Sequence, residues 1–241
     1  MTSDRSLVII PTYNERENIA DIIRAVFALP EPFDVLVVDD NSPDGTASIV
    51  EELKKEFPGL HLLRRPAKQG LGPAYIDGFK WALAHDYDYI FEMDADFSHN
   101  PADLPRLLAE LRKGAGMVVG SRYISGVNVV NWPLSRVLLS YFASLYVRLI
   151  TGMRIKDTTA GFVGYRREVL EKLDLDHIQF TGYGFQIEMK YRVGNLGYEV
   201  KEIPIIFINR QKGASKMHGG IIGEGFWGVL KLKWKKITGK L

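Results

Sequence analysis

The chain has 241 residues, which fits one large α/β domain or a domain with a small appendage. Hydrophobic residues make up 46% and charged residues 25%, as in a globular protein, and a formal net charge of +2 gives no reason to expect a nucleic-acid partner. The absence of cysteine excludes disulfides, thiolate zinc sites and cysteine nucleophiles. We expect no signal peptide and no spanning helix, since no window reaches the roughly 20 uncharged apolar residues that one needs.

In the first half of the chain, short apolar runs alternate with amphipathic stretches. The apolar runs predict strands at 7–10, 35–38, 60–64, 89–93 and 117–120. Helices are expected between them over about 15–29, 44–57, 70–85 and 102–113. This alternation predicts an α/β fold with a parallel sheet that helices cover on both faces.

After about residue 125 this alternation stops. A long apolar stretch covers 132–151, and a further strand is predicted at 203–208 before a basic tail. No repeat and no low-complexity linker marks a boundary. We therefore expect one globular domain over 1–220, followed by an amphipathic basic helix over 221–241.

Polar residues follow three of the predicted strands at the point where each strand stops. They are Tyr13 and Glu15 after the first strand, Asp39, Asp40 and Asp44 after the second, and Asp94 and Asp96 after the fourth. In open parallel sheets, ligands bind outside the carboxyl ends of the strands. The sequence therefore predicts one acidic binding rim.

Asp94 and Asp96 stand one residue apart where an apolar strand ends. Like charges this close repel each other, and burying either is costly without a positive partner. Hard carboxylate oxygens favour Mg²⁺ or Mn²⁺, and magnesium usually shares its remaining positions with substrate phosphates. The pair therefore predicts a divalent cation that holds a diphosphate, whereas a solvated turn with helix-capping aspartates is the alternative for so short a pattern.

Two common nucleotide-binding motifs are missing. The sequence has no Gly-x-x-x-x-Gly-Lys loop, and Pro11 and Thr12 stand where a dinucleotide-binding glycine motif would begin. Asp39 and Asp40 could instead accept hydrogen bonds from a base or ribose, and Tyr13 could stack on a base. Alternatively, the two aspartates stabilise the N-terminus of the following helix.

Six motifs occur in a fixed order along 1–220. They are PTYNE from Pro11, VVDDNSPDGT from Val37, KQGLG from Lys68, DADFSH from Asp94, GSRY from Gly120 and RQKGASK from Arg210. In this order and spacing the chain resembles the family 2 inverting glycosyltransferases and, within them, the polyprenol-phosphate (dolichol-phosphate) mannose synthases. It is similar to the compact members of that group, which carry no appended membrane-spanning helices.

The resemblance implies a fold and a reaction. The fold would be GT-A, a Rossmann-like, mostly parallel sheet flanked by helices, with 1–220 as the catalytic domain. The donor would be GDP-mannose, the cofactor Mg²⁺ or Mn²⁺, and the acceptor a polyprenyl or dolichyl monophosphate. Inverting transfer would give polyprenyl phosphate β-mannose and GDP.

The resemblance also implies roles for individual residues. Nucleoside contacts are implied for Pro11, Tyr13, Glu15, Val37, Asp39 and Asp40. Contacts to metal and diphosphate are implied for Asp94, Ala95 and Asp96, with Ser98 in the metal shell. Phosphate contacts are implied for Arg122 and Arg136, and contacts to the donor from a closing loop for Arg210 and Lys216.

The implied acceptor is already a nucleophile. A phosphate monoester is largely dianionic near neutral pH because its second pKa is about 6, so we nominate no general base. The catalytic residues would be Asp96, which holds the cation, and Arg122 and Arg136, which orient the incoming phosphate through paired donors. A surface ion pair is the alternative role for each arginine.

The apolar stretch at 132–151 predicts a helix with two apolar stripes. One stripe contains Leu134, Leu138, Tyr141, Leu145 and Leu149, and the second contains Leu139, Phe142, Tyr146 and Ile150. A helix that is apolar this far round lies either in a core or in lipid. The resemblance favours the membrane surface beside the acceptor.

The basic tail predicts a second amphipathic helix. Its apolar face contains Phe226, Trp227, Leu230, Trp234 and Ile237, and its charge comes from Lys231, Lys233, Lys235, Lys236 and Lys240. Aromatic residues opposite lysines are typical of interfacial helices. We expect a cytoplasmic protein that associates peripherally with the cytoplasmic membrane face, and a helix packed on the body with a solvated basic face is the alternative.

Three further positions have weaker signals. Asp157 could lie near the sugar or could organise a turn, and Gln186 or Glu188 could reach a sugar pocket. The five histidines form no metal-binding spacing. His99, which follows the Asp94–Asp96 pair, could support the residues that hold the metal, but we expect an ordinary surface role for it.

Other functions fit parts of the pattern. A UDP-sugar, for example in glucosyl transfer to polyprenyl phosphate, would use the same acidic motifs. Transfer to a sugar hydroxyl would need a carboxylate base opposite the metal, for which Asp157 or Glu188 is the candidate. A non-catalytic peripheral membrane protein whose rim binds Mg²⁺ is a third possibility.

Overall fold

The computed structural model describes residues 4–182, 184–210, 221–239 and 241. Its strands are β1 (Ser6–Thr12), β2 (Asp34–Asp39), β3 (Leu60–Arg64), β4 (Tyr89–Glu92), β5 (Met117–Ser121), β6 (Val129–Val130), β7 (Val163–Arg166), β8 (Val200–Pro204) and β9 (Phe207–Ile208). Its α-helices are α1 (Ile19–Phe27), α2 (Thr46–Leu53), α3 (Leu71–Ala84), α4 (Leu104–Arg112), α5 (Leu134–Thr151), α6 (Arg167–Lys172), α7 (Gly184–Asn195) and α8 (Ile221–Ile237). The helices predicted in the first half of the chain all form within their predicted ranges.

The main sheet has seven strands in the order β3-β2-β1-β4-β7-β5-β8. Its pairs are parallel except that β7 runs antiparallel to β4 and β5. The predicted α/β class with a mostly parallel sheet is therefore confirmed, and the antiparallel β7 is an addition to it. The loop before β7 is held at the carboxyl edge of the sheet, where Asp157 pairs with Arg122 just after β5. Because β7 starts at this edge, it runs back across the sheet in the opposite direction to β4 and β5.

The strand predicted at 203–208 is two strands. β8 ends at Pro204, opposite Ser121 of β5, and β9 pairs with β6 in a separate two-stranded parallel sheet. Proline has no backbone N–H to donate, so it is suited to the end of a ladder. The break directs Phe207 and the residues after it toward the rim.

Alternating residues of the central strands build two cores, one on each face of the sheet. In β1, Leu7 and Ile9 belong to the core beneath α3 and α7, and Val8 and Ile10 belong to the core beneath α1, α2 and α4. This double burial explains why the strands are near-continuous apolar runs. It also fixes the carboxyl ends of β1, β2 and β4 next to one another.

The helices α5 and α8 pack on each other and on the body. Val147 of α5 and Val229 and Leu232 of α8 are buried in the core that lies beneath α3 and α7. Tyr146 stacks on Phe226 with ring centroids 4.8 Å apart, and its hydroxyl donates to the Phe226 carbonyl over 3.0 Å. The boundary that we predicted at residue 220 lies outside the described residues.

The outer surfaces of these two helices are strongly apolar. We call the exposed large side chains on them the apolar patch: Leu134, Leu138, Leu139, Tyr141, Phe142, Leu149, Phe226, Trp227, Trp234 and Ile237. Both predicted stripes of α5 contribute to the patch, whereas Val147, Tyr146 and Ile150 of the same helix pack on the core. Within the described residues, α5 alone meets the length and composition expected of a bilayer-crossing helix, and 17% of that window is buried in the protein.

The close packing of β7 against β4 gives a test of the core. A Cβ added at Gly164 would lie 2.7 Å from Cε1 of the buried Phe91 ring. Gly164→Ala should therefore lower the free energy of unfolding by about 1–3 kcal/mol. Gly194→Ala in α7 is the matched control, because a Cβ there meets nothing within 4 Å. Denaturant unfolding of both variants checks this, and equal stabilities would contradict it.

Candidate active site

A cavity of about 570 Å³ opens at the carboxyl ends of β1, β2 and β4. The strand order reverses between β1 and β4, and such a switch point is where ligands bind in open α/β sheets. Most of the predicted site residues line the cavity: Pro11, Tyr13, Glu15, Asp40, Asp94, Ala95, Asp96, Ser98, Arg136 and Arg210. The predicted acidic rim therefore exists as one concave surface.

Asp94 and Asp96 have different electrostatic surroundings. Burial and the neighbouring Asp96 carboxylate raise the pKa of Asp94 to about 8. Burial also acts to raise the pKa of Asp96, but hydrogen bonds from Ser98 and the charge of Arg210 outweigh it and lower that pKa. The Ser98 amide donates to Oδ1 of Asp96 over 3.0 Å, and Arg210 Nη2 lies 2.6 Å from Oδ2.

This donor set fits a hard divalent cation. Two adjacent carboxylates repel each other's charge, and a guanidinium already lies against one of them, so the site is suited to positive charge. Among the described residues, no group of three His, Cys, Asp or Glu side chains forms a metal cluster. Asp94 and Asp96 are the carboxylates that would hold such an ion, and the metal contacts implied for them and for Ser98 stay a prediction.

Asp39 and Val37 lie behind the cavity wall. Val37 is fully buried in the core beneath α1, α2 and α4. The Asp39 carboxylate accepts from the Thr12 hydroxyl over 2.8 Å, and from the amide and hydroxyl of Ser42 over 2.9 and 2.6 Å. These bonds tie the loop after β2 to the end of β1, so Asp39 organises the rim. The nucleoside contact implied for both residues stays a prediction.

Asp40 lines the cavity and is paired with Arg65, a residue that sequence reasoning missed. Arg65 Nη1 donates to Oδ1 of Asp40 over 2.5 Å, and the Arg65 side chain is only 4% exposed. Tyr13 lies nearby, with Lys68 Nζ 4.5 Å from its ring centroid. The one available signal for Arg65 is its position directly after β3, at the same edge of the sheet as the acidic residues.

Arg122 and Arg136 differ in their surroundings. Arg122 is buried, and its Nε and Nη2 donate to the two carboxylate oxygens of Asp157 over 2.7 and 2.6 Å. Arg136 lines the cavity at the start of α5, where its guanidinium lies 4.0 Å from the Trp132 ring centroid and donates to Asn209 over 3.0 Å. Asp157 is thus the buried partner of Arg122, and the position near the sugar that we considered for it stays a prediction.

Glu188 and Gln186 lie in the core, which corrects our expectation of a sugar pocket. Glu188 accepts from the amides of Gln179 and Phe180 and from Nε of Arg192, at 2.8, 3.2 and 2.9 Å. It thereby fixes the backbone that leads to Thr181 and Gly182 of the cavity wall. Gln186 donates to the buried Glu92.

His99 is buried, so the expected surface role is wrong. Its ring stacks on Phe162 at 5.0 Å between centroids, and its Nδ1 lies 3.3 Å from the Asp94 amide, which donates to it. Burial lowers the pKa of His99 to about 4, so the ring is neutral and can accept this bond. His99 therefore supports the backbone of the acidic pair.

Lys216 lies outside the described residues, whereas Arg210 of the same motif lies at the rim. Besides its bond to Asp96, the Arg210 guanidinium has Nη1 3.8 Å from Oε1 of Glu15. The structure thus brings the first and the last of the six motifs together.

Two glycosyltransferases of known structure share this architecture. Glucosyl-3-phosphoglycerate synthase from Mycobacterium tuberculosis, crystallised with Mn²⁺, UDP and glucosyl-3-phosphoglycerate, matches with a TM-score of 0.69 and 18% identity over 98% of this chain and 81% of that chain. Mannosyltransferase PcManGT from Pyrobaculum calidifontis, in complex with GDP-Man and Mn²⁺, matches with a TM-score of 0.60 and 20% identity over 98% of this chain and 65% of that one. The fold is therefore that of a GT-A glycosyltransferase.

Sequence comparison defines the family. The model of glycosyl transferase family 2 matches residues 7–174. The undecaprenyl-phosphate mannosyltransferase of Micrococcus luteus is 47% identical over 98% of this chain and 99% of its own length. The polyprenol monophosphomannose synthase of Mycolicibacterium smegmatis is 47% identical over 94% and 88%, and the dolichol-phosphate mannosyltransferase of Pyrococcus furiosus is 37% identical over 95% and 64%. The chain belongs to glycosyltransferase family 2, as its motifs predict.

Breaking the Arg122–Asp157 pair should be costly. Asp157→Asn leaves a buried guanidinium without its counter-charge, so we expect the free energy of unfolding at pH 7 to fall by about 3–5 kcal/mol. Glu52→Gln is the control, because Glu52 is exposed and pairs only on the surface with Lys55. Urea unfolding that places Asp157→Asn within 1 kcal/mol of wild type would contradict the expectation.

The same pair has a pH signature. Although burial opposes it, the Arg122 charge lowers the pKa of Asp157 below its usual 3.8. The pair's stabilisation is therefore fully present above about pH 4 and is lost as the pH falls through the lowered pKa. In acid unfolding, the free energy of unfolding of wild type should fall as the pH drops below about 4. The Asp157→Asn variant should lack this part of the fall.

Proposed function

We propose that this glycosyltransferase transfers mannose from GDP-mannose to a polyprenyl monophosphate with inversion, giving polyprenyl phosphate β-mannose and GDP. The observation that carries the proposal is the 47% identity, over nearly the whole chain, to enzymes named for mannose transfer to undecaprenyl or polyprenol phosphate. The mannosyltransferase PcManGT, which shares the fold, was crystallised with GDP-Man and Mn²⁺. The cavity offers carboxylates for a cation and arginines for phosphate, which suits these substrates.

The donor would lie across the carboxyl ends of β1, β2 and β4. Tyr13 and Asp40 line the part of the cavity that is suited to a nucleoside, and Asp94 and Asp96 line the part suited to a diphosphate. A bound Mg²⁺ or Mn²⁺ would neutralise charge on the departing nucleoside diphosphate. Arg210, which pairs with Asp96, would bind diphosphate oxygens beside it.

The acceptor phosphate would approach from the side of Arg136. Its guanidinium lies between Trp132 and Asn209 and faces the same cavity as Asp96. A phosphate oxygen attacks the anomeric carbon as the bond from that carbon to the diphosphate oxygen breaks, and no proton has to be removed. Arg136 orients this phosphate, and Arg122 stays a predicted phosphate contact that also holds the Asp157 loop.

A transfer assay tests the proposal. With GDP-mannose, Mn²⁺ and a short polyprenyl phosphate, wild type should form a β-linked mannosyl phospholipid, and Asp96→Ala should lower kcat by about 10³-fold or more while melting like wild type. Asp176→Ala, which removes an exposed surface carboxylate, is the control.

The outcomes separate the alternatives. Product from UDP-glucose but not from GDP-mannose would show that the proposed donor is wrong. Transfer to a sugar hydroxyl would show that the proposed acceptor is wrong. No transfer to any acceptor would favour the non-catalytic membrane protein, and full activity of Asp96→Ala would refute the proposed role of the acidic pair.

The apolar patch gives the protein a surface for a lipid acceptor. Arg136 lies on α5 itself, two residues after the exposed Leu134, so one helix carries both the phosphate-binding cation and part of the patch. Lysines of α8 lie on the same helix as the exposed Trp227 and Trp234. Aromatic residues near lysines favour an anionic interface. We therefore propose peripheral attachment to the cytoplasmic face of a membrane.

Flotation with vesicles checks this attachment. In Trp227→Ser/Trp234→Ser both replaced side chains are about 70% exposed, so the fold should be unaffected. The bound fraction on vesicles of anionic lipid should fall severalfold, because apolar area is no longer buried in the interface. Leu196→Ser replaces an exposed apolar residue after α7, outside the patch, and is the matched control. Equal flotation of the double variant and wild type would contradict the proposed surface.

A further inference from the structure

We propose that Trp132 and Phe207 are positioning residues for the acceptor phosphate, which hold the Arg136 guanidinium in a fixed place relative to the acidic pair. This inference rests on the proposed function, because it requires Arg136 to be the group that meets the phosphate. It starts from three neighbouring rings, His99, Phe207 and Trp132, which we call the aromatic row. None of these rings has a part in the proposed transfer itself.

The aromatic row runs from the acidic pair to Arg136. At one end, the Asp94 amide donates to Nδ1 of His99 over 3.3 Å. The Phe207 ring lies edge-to-face against His99 and Trp132, with 5.4 and 5.2 Å between ring centroids and interplanar angles of 78° and 72°. At the other end, the guanidinium carbon of Arg136 lies 4.0 Å from the Trp132 centroid. Edge-to-face rings and a cation over a ring both have preferred orientations, so each member of the row orients the next.

The backbone of the small sheet of β6 and β9 holds the row in place. The Asn209 amide donates to the Val130 carbonyl over 3.1 Å, which extends the pairing of the two strands. The Ile208 amide donates to the Ser98 carbonyl over 3.2 Å, which fastens β9 to the loop that follows the acidic pair. The side chain of Asn209 accepts from Arg136 over 3.0 Å. The strand β9 therefore contacts both the loop of the acidic pair and the arginine.

Rings suit this position better than carboxylates would. Trp132 and Asn209 are neutral, so their contacts position the Arg136 guanidinium without neutralising its charge. A carboxylate in their place would repel a phosphate dianion. The guanidinium carbon of Arg122 also lies near these rings, 5.5 Å from the centroid of Trp132 and 5.6 Å from that of Phe207. Because ring faces carry partial negative charge, they favour two guanidinium groups in one place.

The indole nitrogen of Trp132 distinguishes packing from hydrogen bonding. Nε1 is buried, and no residue that the structure describes accepts a hydrogen bond from it. A buried indole N–H usually has such a partner. The orientation of this ring therefore depends on its packing against Phe207 and Arg136, which a phenyl ring could also provide. Trp132→Phe is thus the conservative variant, whereas Trp132→Leu removes the ring.

The experiment compares Trp132→Leu, Trp132→Phe and Phe207→Leu with wild type. Trp81→Leu is the matched control, because Trp81 is also partly exposed but stacks on His85, which is bound to Arg5 before the start of β1, at the other edge of the sheet. The probe is farnesyl phosphate, a short polyprenyl phosphate. The readouts are its dissociation constant by calorimetry with GDP and Mn²⁺, the KM values of farnesyl phosphate and GDP-mannose, and thermal unfolding.

Trp132→Leu and Phe207→Leu should raise the dissociation constant and KM of farnesyl phosphate by about 10-fold, because the guanidinium of Arg136 loses its fixed position. In Trp132→Leu the KM of GDP-mannose should change by less than about 2-fold, since the ring packs on the acceptor side of the cavity. Trp132→Phe should bind farnesyl phosphate within about 3-fold of wild type. Trp81→Leu should bind both substrates as wild type does.

A double-mutant cycle tests whether Trp132 acts through Arg136. Arg136→Met alone should weaken the binding of farnesyl phosphate. In that background, Trp132→Leu should change the dissociation constant by less than about 2-fold, because the group that the ring positions is missing. A further loss of about 10-fold would overturn the inference, since the ring would then act independently of the arginine.

Three other results would overturn the inference. They are a folded Trp132→Leu that binds farnesyl phosphate as wild type does, a Trp132→Leu whose KM values rise equally for both substrates, and a Trp132→Phe that loses as much as Trp132→Leu, because the indole N–H would then be a direct contact. If Trp132→Leu does not fold, Phe207→Leu decides by the same dissociation constant.

The binding measurement separates this inference from the proposed function. A wild type that binds farnesyl phosphate but transfers no mannose to it would refute the proposed reaction, and the dissociation constants of the variants would still decide the role of the aromatic row. A wild type that does not bind farnesyl phosphate would refute the proposed acceptor and this inference together.

Discussion

Charge compensation at the carboxyl edge of the sheet is the constraint on which the other features of this protein depend. β1, β2 and β4 end there beside carboxylates, and buried carboxylates are costly unless positive groups lie against them. Arginines from distant parts of the chain supply much of that charge: Arg65 at Asp40 and Arg210 at Asp96. Asp94 keeps a raised pKa even so. The rim thus remains suited to a cation, which is the property that a diphosphate-releasing transferase needs.

Buried ion pairs behind the rim have a geometric role more than an energetic one. Asp157 pairs with Arg122 just after β5, and Glu188, which pairs with Arg192, accepts from the amides of Gln179 and Phe180 that lead to the cavity wall. Such pairs contribute little net stability when compared with well-packed apolar groups, but each holds its loop in a single position. Transfer between two charged substrates depends mainly on how they are positioned. Loops that are held in fixed positions are therefore consistent with the proposed reaction.

The helices α5 and α8 combine two roles that sequence patterns present as alternatives. One side of each helix is packed in the core, and the other side forms the apolar patch. Because Arg136 lies in the first turn of α5, the part of the cavity that we propose to bind phosphate and the patch are connected through one rigid element. A lipid phosphate is the kind of acceptor that needs both surfaces together.

The amino-acid sequence by itself determined the α/β alternation, the acidic rim and the family, because these depend on short-range periodicity and on motifs that are contiguous in the chain. The acidic residues that line the rim and the apolar faces of α5 and α8 could be read in this way. Only the tertiary structure decided the direction of β7, the buried state of His99, and the pairing of Arg65 with Asp40, Arg122 with Asp157 and Arg136 with Asn209. Those partners are 25, 35 and 73 residues apart, and no local pattern specifies which buried charge will meet which. Their choice depends on where the packed sheet places each loop.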